Sequence, residues 1–265
     1  MAGRSRLEKR SGAVPDGYHR TRHRSGRCTV WTPAAEWGEK ALDSGTLYAW
    51  AADQPDRSQF PGRGPVYTVP APLPGPEKRA RWAFRHYWRG GAMAMPLGDR
   101  YTRVGRARPF REVSASASAR ARGIRTPAVI AGATYVAGLH YRCDLVTEVV
   151  PDVEPLADVL HAHDGTRGWL DAMATAGSLI RQLAEAGVFH VDLNAWNVLL
   201  HPDGTRAAWV VDLDRARILR RPSRSIADRM TSRLARSISK VGTPTGELLG
   251  HAEIEAALDA RTARP

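Results

Sequence analysis

The stretch Phe189-His190-Val191-Asp192-Leu193-Asn194-Ala195-Trp196-Asn197 places a carboxylate two residues after a histidine and five before an asparagine. A hydroxyl that attacks a phosphoryl group needs a carboxylate to orient it and to take its proton, and Asp192 is of that type. A cation bridging phosphates needs oxygen ligands, and Asn197 offers one from the far end of the same segment. A second comes from Val210-Val211-Asp212-Leu213-Asp214, where Asp212 stands at the point at which an apolar run gives out. Magnesium takes carboxylate together with phosphate oxygens, so the pair Asn197 and Asp212 suits it. The chemistry these types and spacings describe is phosphoryl transfer.

Such residues need elements to hold them. Trp169 to Ala186 carries Leu170, Met173, Ala174, Gly177, Ile180 and Leu183 at helical spacing, and Gly187 is its stop. Val198-Leu200 and Trp209-Val211 are short apolar runs joined by His201-Pro202-Asp203-Gly204, which reads as a hairpin. Helix, loop, hairpin and strand-end aspartate in that order are the setting of a kinase catalytic loop, H-x-D-x-x-x-x-N. An accidental polar loop would lack the setting.

Upstream, Val66-Val69, Arg81-Trp88, Pro127-Val136 and Tyr141-Val150 read as strands, and Phe110 to Arg122 reads as a helix ended by Gly123. Downstream, Ile226 to Ala260 is mostly helical, with a break expected at Gly242 to Pro244. Strands with one helix followed by helices imply an α+β, bilobal chain that switches near Glu148 to Asp152. The expected divisions are a disordered basic tail over 1-27, a small β-rich lobe over 28-147 and a mainly α lobe over 148-265.

The 265 residues carry 39 Lys and Arg against 27 Asp and Glu, a formal net charge of +12. That balance implies a polyanionic partner, or an arginine-rich solvated surface. The only two cysteines, Cys28 and Cys143, give neither a disulfide framework nor a metal knuckle, which points to a reducing compartment. No run of about 18 apolar residues exists to span a bilayer, and the charged start lacks the apolar stretch of a secretory signal. His161 and His163 have no partner cluster and read as surface residues.

The loop from Gly187 to Leu200, followed by Val211-Asp212-Leu213-Asp214-Arg215-Ala216-Arg217, resembles the 3-deoxy-D-manno-octulosonic acid (Kdo) kinases of the lipopolysaccharide kinase group. In that family the loop reads D-L-N-A-x-N and the metal aspartate sits in D-[FL]-D-R. Phe84-Arg85-His86-Tyr87-Trp88-Arg89-Gly90-Gly91 resembles its L-R-H-Y-x-R-G-G strand, and Arg111-Glu112 falls at its helix glutamate. Tyr141 to Glu148 resembles its approach to the interlobe hinge, and Leu234 to Lys240 its basic C-terminal helix. The resemblance covers about residues 60 to 241.

The resemblance implies a protein-kinase-like fold with ATP between the lobes. It implies transfer of phosphate from ATP to the 4-hydroxyl of a Kdo residue on Kdo–lipid A. The setting is the cytoplasmic face of the inner membrane, with peripheral contact to its anionic surface. A monomer with no nucleic-acid partner is expected. Five residues would bind ATP: Arg85 and Glu112 would position its phosphates, Gly62 and Gly64 would form a short glycine loop over them, and Glu148 would contact the nucleotide at the hinge. Asn197 and Asp212 would hold Mg2+, and Asp192 would orient the acceptor hydroxyl.

Several readings stay open on sequence alone. Arg85 stands where a protein kinase has lysine; it either forks onto phosphate or Glu112, or lies on an exposed strand face. Trp196 replaces the family's histidine and would pack under the loop. Asn194 either helps to place Asp192 or caps the loop. Asp214 and Arg215 either orient an acceptor carboxylate or pair locally. Met230, Leu234 and Ile238, flanked by Arg229, Arg233, Arg236 and Lys240, form either a membrane-docking stripe or a core-facing one. Competing functions are a heptose, small-molecule or protein kinase of the same fold, and a non-catalytic basic pseudokinase.

Overall fold

The computed structural model describes residues 14–60, 65–88, 98–162, 166–203, 205–241 and 250–259. The chain forms two compact units. One runs through Arg10–Ser118 and Pro127–Val150; the other combines Ala119–Thr126 with Pro151–Pro265. The division falls at 150/151 rather than 147/148, and an internal stretch of eight residues belongs to the second unit.

The first unit is built on strands β1 (Tyr18–His23), β2 (Gly26–Trp31), β3 (Ser58–Phe60), β4 (Val66–Pro70), β5 (Arg81–His86), β6 (Tyr101–Thr102), β7 (Val129–Ala137) and β8 (His140–Glu148). They make one sheet in the order β1-β2-β7-β8-β5-β4-β3, with β6 on β8, and every pairing is antiparallel. Helices α1 (Ala35–Asp43), α2 (Leu47–Ala52) and α3 (Arg108–Arg120) accompany it. Trp82 and Phe84 on β5 are fully buried with Ile130, Val146 and Leu47. Trp37 of α1 packs edge-on against Trp82 at 4.9 Å. Each such side chain contributes about 1.5–3 kcal/mol by leaving water. Cys28 and Cys143 are both fully buried and free, and burial pushes the Cys28 thiol up to about 12.

The expected disordered tail over 1-27 is corrected by the β1–β2 hairpin. Its arginines and histidines occupy an edge strand, where charge is tolerated and discourages further pairing. The hairpin is anchored by Tyr18, whose hydroxyl donates to the Val129 carbonyl at 2.6 Å, and by buried Cys28 and Val30 on β2. Residues 1–13 lie outside the described residues.

The second unit holds β9 (Glu154–Pro155), α4 (Leu156–Ala162), α5 (Thr166–Glu185), β10 (Val188–Phe189), β11 (Val198–Leu200), β12 (Ala208–Val210), β13 (Arg217–Ile218), α6 (Arg224–Ile238) and α7 (His251–Asp259). The small sheets are β12-β11-β9 and β10-β13. Together the β-rich and mainly helical units give the expected α+β class. Gly187 ends α5 with φ +67°, a conformation that favours glycine. Arg122 donates from one nitrogen to the Ala186 and Leu219 carbonyls at 2.8 and 2.9 Å, satisfying the helix end. The apolar stripe of α6 faces the core: Met230 and Leu234 are fully buried and Ile238 nearly so. The membrane-docking alternative for that stripe is therefore overturned, while Arg229, Arg233, Arg236 and Lys240 are exposed on α6 and at its end. The break expected at Gly242 to Pro244 lies outside the described residues. Among those residues no helix is long and apolar enough to cross a membrane.

Candidate active site

In the helical unit the loop between β10 and β11 is folded on itself. Asn194 donates from its side-chain amide to the Asp192 carbonyl at 2.9 Å and accepts from the Trp196 backbone N–H at 2.9 Å. Asn197 donates to the same Asp192 carbonyl at 3.3 Å. Asn194 thus caps the turn and in doing so steadies the backbone that carries Asp192, so both of its readings meet in one pair of bonds. The Ala195 N–H donates to Ser237 Oγ of α6 at 3.1 Å, tying the loop to that helix. Trp196 is 55% exposed, so the expectation that it packs under the loop is corrected. The loop's turn directs it outward, while Leu193 and Ala195 fill the interior.

β11 pairs with β12 through Val198↔Val210, and the Val211 N–H donates to the Asn197 carbonyl at 3.0 Å. This register sets Asn197 at the start of one strand against the residue preceding Asp212 at the end of the other. Asp212 adopts φ +63° and ψ +53°, a left-handed conformation that aspartate tolerates better than most residues. His190 is buried and lies 3.0 Å through Nε2 from the Val211 carbonyl. Burial holds its pKa below the ordinary value, against the Val211 bond and the nearby charges of Asp212 and Asp192. A neutral His190 donates from Nε2, and this bond steadies the residue next to Asp212.

The Asp192 carboxylate is held on both oxygens. Arg215 donates to Oδ2 at 2.5 Å and Arg233 to Oδ1 at 2.8 Å. The pairing of Arg215 with Asp192 replaces the local pairing with Asp214 considered from the sequence. Arg233 was visible in the sequence only as part of a basic helix face.

In the β-rich unit Arg85 lies 2.9 Å from Glu112. Tyr87 completes the cluster, donating to Glu112 at 2.6 Å and accepting from Arg85 at 3.3 Å. Burial first, and then the Glu112 charge, raise the Tyr87 pKa well above its ordinary value, so the hydroxyl stays protonated and able to donate. The exposed-strand alternative for Arg85 is overturned.

Beside this cluster, His86 sits between two carboxylates, with Nδ1 2.6 Å from Asp144 and Nε2 3.0 Å from Asp99. Two acceptors call for two donors, which only the imidazolium has. Burial opposes the charge, but Asp144 and then Asp99 outweigh it, and the His86 pKa is raised. Asp144, fully buried, also accepts from the Tyr135 hydroxyl at 2.8 Å and the Tyr48 N–H at 2.9 Å.

Glu148 is 2% exposed, and its carboxylate accepts from the backbone N–H groups of Glu77 and Arg79 at 2.9 and 3.1 Å. Its side chain therefore clamps the β4–β5 connection. Gly62 and Gly64 lie outside the described residues, as do Arg89, Gly90, Gly91 and His163. His161 is exposed, as expected.

Residues 73–250 match the family described as "Lipopolysaccharide kinase (Kdo/WaaP) family". The chain belongs to that family. It is 32% identical over 237 residues to a 3-deoxy-D-manno-octulosonic acid kinase of Xanthomonas oryzae pv. oryzae (strain PXO99A), covering 87% of this chain and 82% of the relative. It is 30% identical over 226 residues to a protein of the same description from Stenotrophomonas maltophilia (strain K279a), covering 84% and 80%. Among solved structures, WaaP in complex with acyl carrier protein is similar with a TM-score of 0.46 and 16% identity, covering 83% of this chain and 91% of that chain. As a member of this family the protein is a kinase of lipopolysaccharide biosynthesis.

Proposed function

We propose that this kinase transfers the γ-phosphoryl group of ATP to the 4-hydroxyl of a Kdo residue on Kdo–lipid A. We place it on the cytoplasmic face of the inner membrane, in peripheral contact with the anionic surface. The observation that carries the acceptor is the likeness, over most of the chain, to relatives described as Kdo kinases.

The site residues fit a divalent cation of the magnesium kind. Asn197 and Asp212 supply oxygen atoms from two paired strands, and among the described residues no cluster of three or more His, Cys, Asp and Glu would hold a metal alone. Two protein oxygens suit a cation that completes its shell with phosphate and water. When bound, it supplies neutralisation of the phosphate charge.

The protein's own residues do the rest. Asp192, fixed by Asn194, Asn197, Arg215 and Arg233, accepts a hydrogen bond from the acceptor hydroxyl and receives its proton as the oxygen attacks phosphorus. Arg85, itself oriented by Glu112, is a permanent cation whose fork suits phosphate. Phosphoryl transfer asks little covalent chemistry of a protein, so positioning and charge dominate.

The test is an incubation of labelled ATP, magnesium and Kdo–lipid A with the full chain. Label should enter the lipid with wild type and fail to do so with Asp192→Ala. Label entering another acceptor, but never the Kdo lipid, would sink the proposal.

A further inference from the structure

We infer that a basic cavity beside Asp192 is the subsite for an anionic oxygen group of the acceptor, with Arg233 linking its occupancy to Asp192. The inference rests on the kinase reading above and names what that site recognises.

The cavity measures about 380 Å³ and lies wholly within the helical unit. Phe189, three residues before Asp192, forms part of its lining, and α6 supplies Arg229, Ser232, Arg233 and Arg236 together with Asp228. Arginines at 229, 233 and 236 are spaced by four and three residues, which stacks them on one helix face. Like charges so spaced destabilise a helix. Asp228 is the single carboxylate in that lining, and with Arg233 engaged by Asp192 it faces the two further cations Arg229 and Arg236. This face therefore carries a charge excess that a bound anion would offset. Asp192 already engages Arg233, and among the described residues no other carboxylate pairs with that arginine.

The cations are also poised. The Arg229 guanidinium lies 4.6 Å from the Phe189 ring centre, which orients the group while leaving its edge donors for a ligand. Arg233 reaches Asp192 with Nη2 and has further donors in its fork. A hydroxyl delivered to Asp192 brings the rest of its sugar alongside Arg233. An acceptor that carries a carboxylate or phosphate near that hydroxyl would thus find a guanidinium fork matched to it. As the anion draws on Arg233, Oδ1 of Asp192 has one fewer donor to satisfy and is available to the hydroxyl. Arg233 is on this account a positioning residue, and Arg229 and Arg236 select the acceptor's charge.

Two sources can supply the anion: the carboxylate of the sugar acid or a phosphate of the lipid. Steady-state transfer is measured with the free-acid Kdo acceptor, its methyl ester, and the free acid on dephosphorylated lipid. The wild type should show KM raised about tenfold, near 1.4 kcal/mol, by whichever change removes the recognised anion. Arg229→Ala and Arg236→Ala should raise KM for the intact acceptor by a similar factor with kcat little changed. They should also bring the intact-to-modified ratio toward one, while Arg229→Lys should restore part of it. Arg233→Ala should collapse the same ratio.

Isothermal titration with Kdo monosaccharide, its methyl ester and inorganic phosphate reads the cavity without turnover. Arginine-dependent anion binding without transfer to any Kdo acceptor would refute the function and leave the subsite standing. Transfer to Kdo with equal use of intact and modified acceptors, or anion binding unchanged in Arg229→Ala and Arg236→Ala, would overturn the subsite alone.

Discussion

Asp212 holds φ +63°, a region in which most side chains crowd the following carbonyl. Backbone and chemistry are therefore separable there by two substitutions. Asparagine tolerates the conformation but lacks the charge, so Asp212→Asn should keep its stability and lose about 10²-fold or more in kcat. Asp212→Ala should lose activity and, in addition, about 1 kcal/mol of stability, measured by urea unfolding. His86 gives a pH signature. Its folded pKa is raised, so protonation favours the fold. That contribution is fully present below the unfolded value of about 6.5 and is lost as pH rises through the folded value. His190 runs oppositely, because burial lowers its pKa and stability falls as pH drops below its unfolded value. The clean quantity is wild type minus His86→Gln. That difference in unfolding free energy should be largest in mild acid and shrink above neutrality; a flat difference would refute the charged bridge.

At the scale of elements, α5 and α7 meet at Gly177. A Cβ there would lie 1.8 Å from the Leu258 carbonyl oxygen. Alanine in a helix interior normally stabilises by about 1 kcal/mol over glycine. Here the backbone of α7 would have to retreat, so Gly177→Ala should destabilise by about 1–3 kcal/mol in chemical denaturation. The elements that sequence revealed share a cause. The 3.6 period of α5 and the apolar runs of β11 and β12 record burial against near neighbours, which a one-dimensional pattern carries. What it hid was set by distant pairing. The β1–β2 hairpin looked like a tail because its partner β7 lies a hundred residues on. Arg233 looked like one cation of a basic face because Asp192 is 41 residues away. The clamp that the Glu148 carboxylate makes was hidden in the same way, because the N–H groups it holds are 71 and 69 residues upstream. The candidate set Asp192, Asn197 and Asp212 stands out in the sequence because its spacing lies within one loop and one hairpin, and the β11–β12 register sets Asn197 against the residue before Asp212.

For the whole molecule the controlling quantity is the formal charge of +12. With the apolar stripe of α6 committed to the core, the proposed contact with an anionic lipid surface would rest on charge. Raising ionic strength from about 0.01 M to about 0.15 M shortens the screening length from ~30 to ~8 Å. KM for the acceptor embedded in anionic vesicles should therefore rise steeply with salt. KM for a soluble Kdo acceptor, which meets only short-range contacts, should rise far less. Equal salt dependence for both acceptors would argue against electrostatic docking of the whole surface.

The two cysteines have a consequence of a different kind. Both thiols are sealed inside the β-rich unit, and that of Cys28 loses its proton only near 12. Maleimides and oxidants attack thiolates, so at neutral pH the native chain offers them no ready target. A single cysteine introduced at an exposed site such as Ser225 would be the sole labelling position without first deleting the natural pair. A dye or spin label there would report on α6, the helix whose Arg233 pairs with Asp192, during turnover.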